Sequence, residues 1–148
     1  MLHDLLAGGV VSFVNFGVHA AMTAVIVVAT RRAASKTDRF GIFTRLVALL
    51  TITMAALMCA HVAEIAIWAA YLDLAGIKIA NARVFAFAFE NYTAVGYGDA
   101  LPAEGDRRLV GPIMALNGLL LIGWSVAVIF EVMRMADFQV GRRGKRSD

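Results

Sequence analysis

The sequence predicts an all-α membrane protein in which three long helices cross the bilayer and a shorter apolar piece dips into it between the second and third. Hydrophobic residues make up 60% of 148, and the mean hydropathy is +0.73. That is more apolar surface than one small soluble core can bury. The apolar residues concentrate in three runs, 5–30, 43–72 and 109–133. Each reaches the roughly 20 residues that a ~30 Å hydrocarbon slab demands.

The first run has no Lys or Arg before it in residues 1–10 and continues well past a secretory h-region, so it reads as a span rather than a cleaved signal peptide. Ser12, Asn15, His19 and Thr23 lie three and four apart, which places them on one helix face. The run lacks the arginines at every third position that a voltage-sensing helix needs. Arg31, Arg32, Lys36, Arg39 and Arg45 follow it, and Arg134, Arg142, Arg143, Lys145 and Arg146 follow the third run; together these are ten of the 14 basic residues. The positive-inside rule puts both groups in the cytoplasm and the N-terminus outside. The net charge of +3 thus reflects topology and attraction to anionic lipid, and gives no argument for nucleic acid.

The second run carries His61, Glu64 and Trp68 at the same helical spacing. Counting ~1.5 Å per residue from Arg31 and Arg45 sets His61 level with Asn15 and Glu64 level with Ser12, so the two polar stripes face each other. Ionisable residues inside a span are functional candidates: His19, His61 and Glu64 either sense pH or dock the first helix by hydrogen bonding. Docking is the stronger reading, and a stripe this spread out makes no compact metal shell. Cys59 has no partner cysteine, so neither a disulfide nor a cysteine metal cluster is expected.

The 73–108 connection has mixed charge and contains "VFAFAFENY", residues 84–92, too short to span. It re-enters the membrane if protein or water shields its ends. "TAVGYGD", residues 93–99, comes next. Gly96 and Gly98 have dihedral freedom that lets successive carbonyls point the same way, and aligned carbonyls replace the hydration shell of a cation. The C-terminal end of the preceding helix aims partial negative charge at the space below. In the third run, helical spacing from Gly118 aligns Leu119, Ile122, Val126, Phe130 and Arg134. Asn117 presents its amide either to a cavity or to the short helix. Glu131 and Arg134 pair as a charge latch or as a helix-end ion pair.

With Thr93, Ala94, Val95, Gly96, Tyr97, Gly98 and Asp99 in this setting, the chain resembles the potassium channel pore-domain family, in particular the small bacterial proton-gated potassium channels, with an extra N-terminal membrane helix. The similarity runs from about residue 83 to 123 and includes Glu90, Pro102, Arg108 and Gly118. It implies that potassium, the permeant ion and sole ligand, is held by the carbonyls of 94–97 with Thr93 and Gly98 completing the filter, and that no reaction is catalysed. It also implies that Glu90 and Asp99 form a carboxyl pair behind the filter, supported by Phe87 and, if it lies close enough, by Arg83. Gly118 becomes the gating hinge, and the stripe Leu119, Ile122, Val126, Phe130, with Glu131 and Arg134, becomes the cavity and gate. Two positions depart from the family. Ala94 stands where the signature has Thr, and Ala86 and Phe87 stand where two tryptophans usually donate hydrogen bonds to the filter.

The expected organisation is an extra helix and loop over 1–40, a pore module over 41–136 and a basic cytoplasmic tail over 137–148, frayed or lying on the membrane surface. Within the module lie an outer helix 43–72, a pore helix 82–92, the filter 93–98 and an inner helix 109–133. The expected function is a homotetrameric potassium-selective channel of the inner or plasma membrane, in contact with membrane lipids. A weakly selective cation channel and a non-conducting membrane subunit with a filter-like turn are the alternatives.

Overall fold

The computed structural model describes residues 2–36, 41–103 and 107–144. Helix α1 spans Leu2–Lys36, α2 Ile42–Leu74, α3 Val84–Tyr92 and α4 Val110–Gly144, with two-residue strands β1 (Ile79–Ala80) and β2 (Leu101–Pro102) on either side of α3. Three stretches, Leu2–Arg32, Phe43–Leu74 and Val110–Ala136, are long and apolar enough to cross a membrane. The chain is therefore an all-α, multi-pass membrane protein. Helix α1 packs on α4 and α2, and α3 is wedged between α2 and α4.

Two apolar clusters hold the bundle. One surrounds the short helix and joins Trp68 and Leu72 of α2 to Phe87 and Tyr92 of α3 and to Met114 and Leu121 of α4. The other, Ile26, Leu57, Val128 and Val132, closes the opposite end. Large apolar side chains such as Phe13, Phe43, Val126 and Phe130 remain exposed, as lipid-facing or subunit-facing positions do when lipid replaces water.

Helix α2 ends in a Schellman motif: Gly76 takes φ +65°, Ile77 N–H donates to the Leu72 carbonyl at 2.9 Å and Gly76 N–H to that of Asp73 at 3.0 Å. Strands β1 and β2 then pair antiparallel, Ile79 opposite Pro102 and Ala80 opposite Leu101. This small ladder ties together the two ends of the segment that carries α3 and the glycine-rich turn, and two residues per strand are too few for an alternation signal in sequence. Helix α3 starts at Val84 rather than 82, because Asn81 adopts φ +63° and Arg83 is extended. Helix α4 runs eleven residues past 133 to Gly144, so residues 137–144 continue the helix rather than fraying or turning onto a surface.

The start of α1 is docked by charge. Asp4 is buried, and Arg107 donates to its Oδ1 at 3.0 Å and approaches His3 Nδ1 at 3.2 Å. Arg107→Ala strands a buried carboxylate, which costs about 1–3 kcal/mol, while Arg107→Lys is expected to cost less. Thermal unfolding in detergent reads the difference. Equal stability of both variants and the parent would dismiss the pair as a docking element.

Candidate functional site

The turn after α3 has an alternating backbone. φ is positive at Ala94 (56°), Gly96 (52°) and Gly98 (78°), and Val95 and Tyr97 between them are not. Alternating hand turns successive peptide units to the same side, N–H groups one way and carbonyls the other. The N–H groups face back onto the helix end: Ala94 donates to the Asn91 carbonyl at 2.9 Å, Val95 to that of Glu90 at 3.0 Å, and Gly96 to that of Glu90 at 3.4 Å. The Thr93 hydroxyl donates to the Phe89 carbonyl at 2.9 Å. Among the described residues no backbone N–H claims the carbonyls of 94–97. A row of unclaimed carbonyls is open to a cation or water as its partner. Ala94 carries a Cβ in the left-handed region, a strain of about 1–2 kcal/mol that the residue type does not advertise.

Two glycines of α4 seat the end of α3. A Cβ on Gly111 would come within 2.6 Å of Asn91 Oδ1, and one on Gly118 would overlap the Tyr92 carbonyl oxygen. Asn91 in turn donates to the Phe87 carbonyl at 2.9 Å. Gly118 therefore has a packing task, the close approach of α4 to the residue before Thr93. The stripe Leu119, Ile122, Val126 and Phe130 is exposed along the single chain. At its end Arg134 grips Glu131 with two bonds, 2.7 and 2.8 Å, both side chains partly or largely exposed.

Around the filter, Phe87 is buried in the main core, Glu90 is half-buried, and Asp99 and Arg83 are exposed. Within the one chain no hydrogen bond joins Glu90 to Asp99, and Arg83 makes no ion pair among the described residues. Tyr97 is 75% exposed in the single chain.

The polar stripes of α1 and α2 do meet, but offset by about one turn from the sequence-based register. Glu64 faces Asn15 and His19, not Ser12. His19 Nδ1 lies 2.9 Å from Glu64 Oε1, and Asn15 donates to the Glu64 carbonyl at 3.3 Å. The depth count set Arg31 and Arg45 level as anchors, whereas α1 runs on to Lys36 and α2 already begins at Ile42. His61 Nδ1 lies 3.1 Å from Glu64 Oε2 and 2.8 Å from the Tyr92 hydroxyl, and the Tyr92 hydroxyl donates to Glu64 Oε2. Both histidines reach Ser125 Oγ with Nε2, at 2.9 Å from His61 and 3.4 Å from His19. One ligating atom each from His19, His61 and Glu64 lies within 4.8 Å of the others. The cluster is thus compact, against the expectation of a spread-out stripe, because residues on different helices converge where residues along one helix do not.

Asn117 bonds neither a cavity nor the short helix. Its Oδ1 accepts from Asn15 at 3.0 Å and from Trp68 at 2.9 Å, binding α1 and α2 to α4. Tyr92 and Ser125 were not singled out in the sequence. Ser125 had a signal, since Gly111, Gly118 and Ser125 recur every seven residues on α4, the mark of a face built for close approach.

Three bilayer-crossing helices around a re-entrant helix, ended by a turn whose carbonyls point away from its own hydrogen bonds, define a membrane pore module. Residues 63–135 match a family model described as an ion channel. The matched stretch, just under half of the chain, is of the potassium channel pore-like family, and on that match the chain is a channel protein, not an enzyme. Helix α1 and residues 42–62 of α2 lie outside the matched residues. No curated protein and no solved structure matches the chain.

Proposed function

We propose that four copies of the chain assemble around the 93–98 turn into a potassium-selective channel that conducts passively, with the N-terminus outside and the 31–45 loop and tail in the cytoplasm of an inner or plasma membrane. The observation that carries this reading is the alternation of φ from Ala94 to Gly98 with its unclaimed carbonyls. A single strand of carbonyls offers a cation one side of a coordination shell, and a ring of strands completes it. The exposed apolar stripe from Leu119 to Phe130 supplies the surface on which inner helices pack and which faces the pore below. Basic residues at both cytoplasmic ends favour anionic lipid.

Ala94 favours a second reading, a weakly selective cation channel, because the innermost site keeps its carbonyl and lacks a side-chain hydroxyl. Flux from liposomes holding the purified chain tests both, with potassium, sodium and N-methylglucamine as competing ions. Potassium flux is expected to exceed sodium flux and to vanish in Gly96→Ala, whose Cβ at φ +52° drives the peptide toward negative φ at a cost of about 1–2 kcal/mol. Equal fluxes would establish the weakly selective channel, and a tetramer silent to every ion would leave a non-conducting subunit.

A further inference from the structure

We propose that His19, His61 and Glu64 form a binding site for one divalent transition-metal ion of the zinc class, placed where all four helices meet. The site stands on contacts within one chain and does not depend on conduction or assembly.

The hydrogen-bond geometry leaves room for one more cation. Five groups close a ring: Glu64 Oε1 to His19 Nδ1 (2.9 Å), His19 Nε2 to Ser125 Oγ (3.4 Å), Ser125 Oγ to His61 Nε2 (2.9 Å), His61 Nδ1 to the Tyr92 hydroxyl (2.8 Å), and that hydroxyl to Glu64 Oε2. Each of the five links needs one proton. An ionised carboxylate, two neutral imidazoles, a phenol and a hydroxyl supply four. One link is therefore short, in a place where Glu64 and His19 are fully buried and water does not make up the difference.

A metal ion between the two Nδ1 atoms and the carboxylate takes the place of the missing proton. Both imidazole protons then sit on Nε2, and the Ser125 oxygen, with two lone pairs, accepts both. This is the outer support that ligating histidines require. Two imidazole nitrogens and a carboxylate oxygen form a donor set suited to zinc, with the Tyr92 oxygen beside it for the fourth position. Metal–ligand lengths of about 2.0–2.1 Å set neighbouring tetrahedral ligand atoms roughly 3.3 Å apart; each imidazole Nδ1 already stands that close to one oxygen of the carboxylate, His19 2.9 Å from Oε1 and His61 3.1 Å from Oε2. Entry is provided by a cavity of about 310 Å³ that touches His61, Tyr92, Ser125 and Thr93. Any proton held on the fifth link leaves when the metal arrives.

The test uses the full chain, purified without a polyhistidine tag, stripped with chelator and titrated with Co²⁺ and then Zn²⁺. One Co²⁺ per chain with the visible absorption of a tetrahedral site, displaced by Zn²⁺, is the expected result. His19→Gln and His61→Gln are expected to abolish the spectrum, and His3→Gln to leave it unchanged. Ser125→Ala keeps all three ligands and should weaken binding about 10–100-fold, which keeps the proposal falsifiable if the histidine variants do not fold. Absence of stoichiometric metal in the parent chain would overturn the proposal and leave a fifth proton as the ring's occupant. An undiminished spectrum in either histidine variant, or undiminished affinity in Ser125→Ala, would overturn it as well.

Discussion

Gly118→Ala is expected to abolish ion flux and to lower thermal stability, whereas Gly17→Ala, an equivalent exchange in α1, should leave flux intact and raise stability slightly. Gly17 has nothing within 4 Å of an added Cβ, while a Cβ on Gly118 would overlap the Tyr92 carbonyl oxygen. Alanine in a helix gains about 0.5–1 kcal/mol over glycine from backbone entropy, and this is the sign expected at position 17. At position 118 the gain is outweighed by overpacking, which costs about 1–3 kcal/mol. The upper end applies, because the obstacle is backbone and no flexible side chain can step aside. The chain can relieve the clash only by moving α4 away from Tyr92, which shifts the residue that precedes Thr93. A pure gating hinge predicts something else: altered opening with unchanged stability. Liposome flux and thermal unfolding measured on the same preparations separate the two, and a Gly118→Ala protein as stable as the parent would sink the packing role.

The membrane architecture was legible because its signals are long. Twenty apolar residues repeat one message, and the basic clusters between them repeat another, so the three spans and the short re-entrant helix followed from composition and length. The glycine-rich turn was legible for the opposite reason. "GYG" followed by Asp at the end of a short apolar helix has few structural uses, and the alternating φ at 94, 96 and 98 is the conformation those glycines permit. Ala94 in the left-handed region was not foreseeable, because alanine there is held by its own N–H bond to the Asn91 carbonyl and by those of Val95 and Gly96 to Glu90.

What escaped the sequence were relations between helices. The depth count matched α1 to α2 within about one turn, then failed on its two anchors. The polar stripes were seen as separate lines of residues, so their convergence with Tyr92 and Ser125 into one ring was invisible from either line alone. The recurrence of Gly111, Gly118 and Ser125 every seven residues was the available clue. It marks the face of α4 that approaches α3 and the histidines, and it explains why the only hydroxyl on that face is the one both imidazoles reach.

Removing the acceptor at the centre of that ring should have the second large effect. Glu64→Ala leaves His19 Nδ1, His61 Nδ1 and the Tyr92 hydroxyl without the carboxylate each now meets. Single polar contacts between membrane helices average about 0.6 kcal/mol, so three lost contacts set a floor near ~2 kcal/mol. His19 and Tyr92 among the groups left behind are buried, and an unsatisfied buried group costs about 1–3 kcal/mol more. Glu64→Gln retains one acceptor oxygen of the same size and is expected to lose about half as much. The loss should appear in thermal unfolding in detergent even in a chain that cannot conduct, because Gly96→Ala and Glu64→Ala act on groups that share no contact and should add within about 0.5 kcal/mol. A Glu64→Ala chain as stable as the parent would show that apolar packing of Val11 and Ile26, with the Arg107–Asp4 and Asn15–Asn117 contacts, holds α1 in place without the carboxylate. The buried carboxylate would then be retained for its chemistry and not for docking.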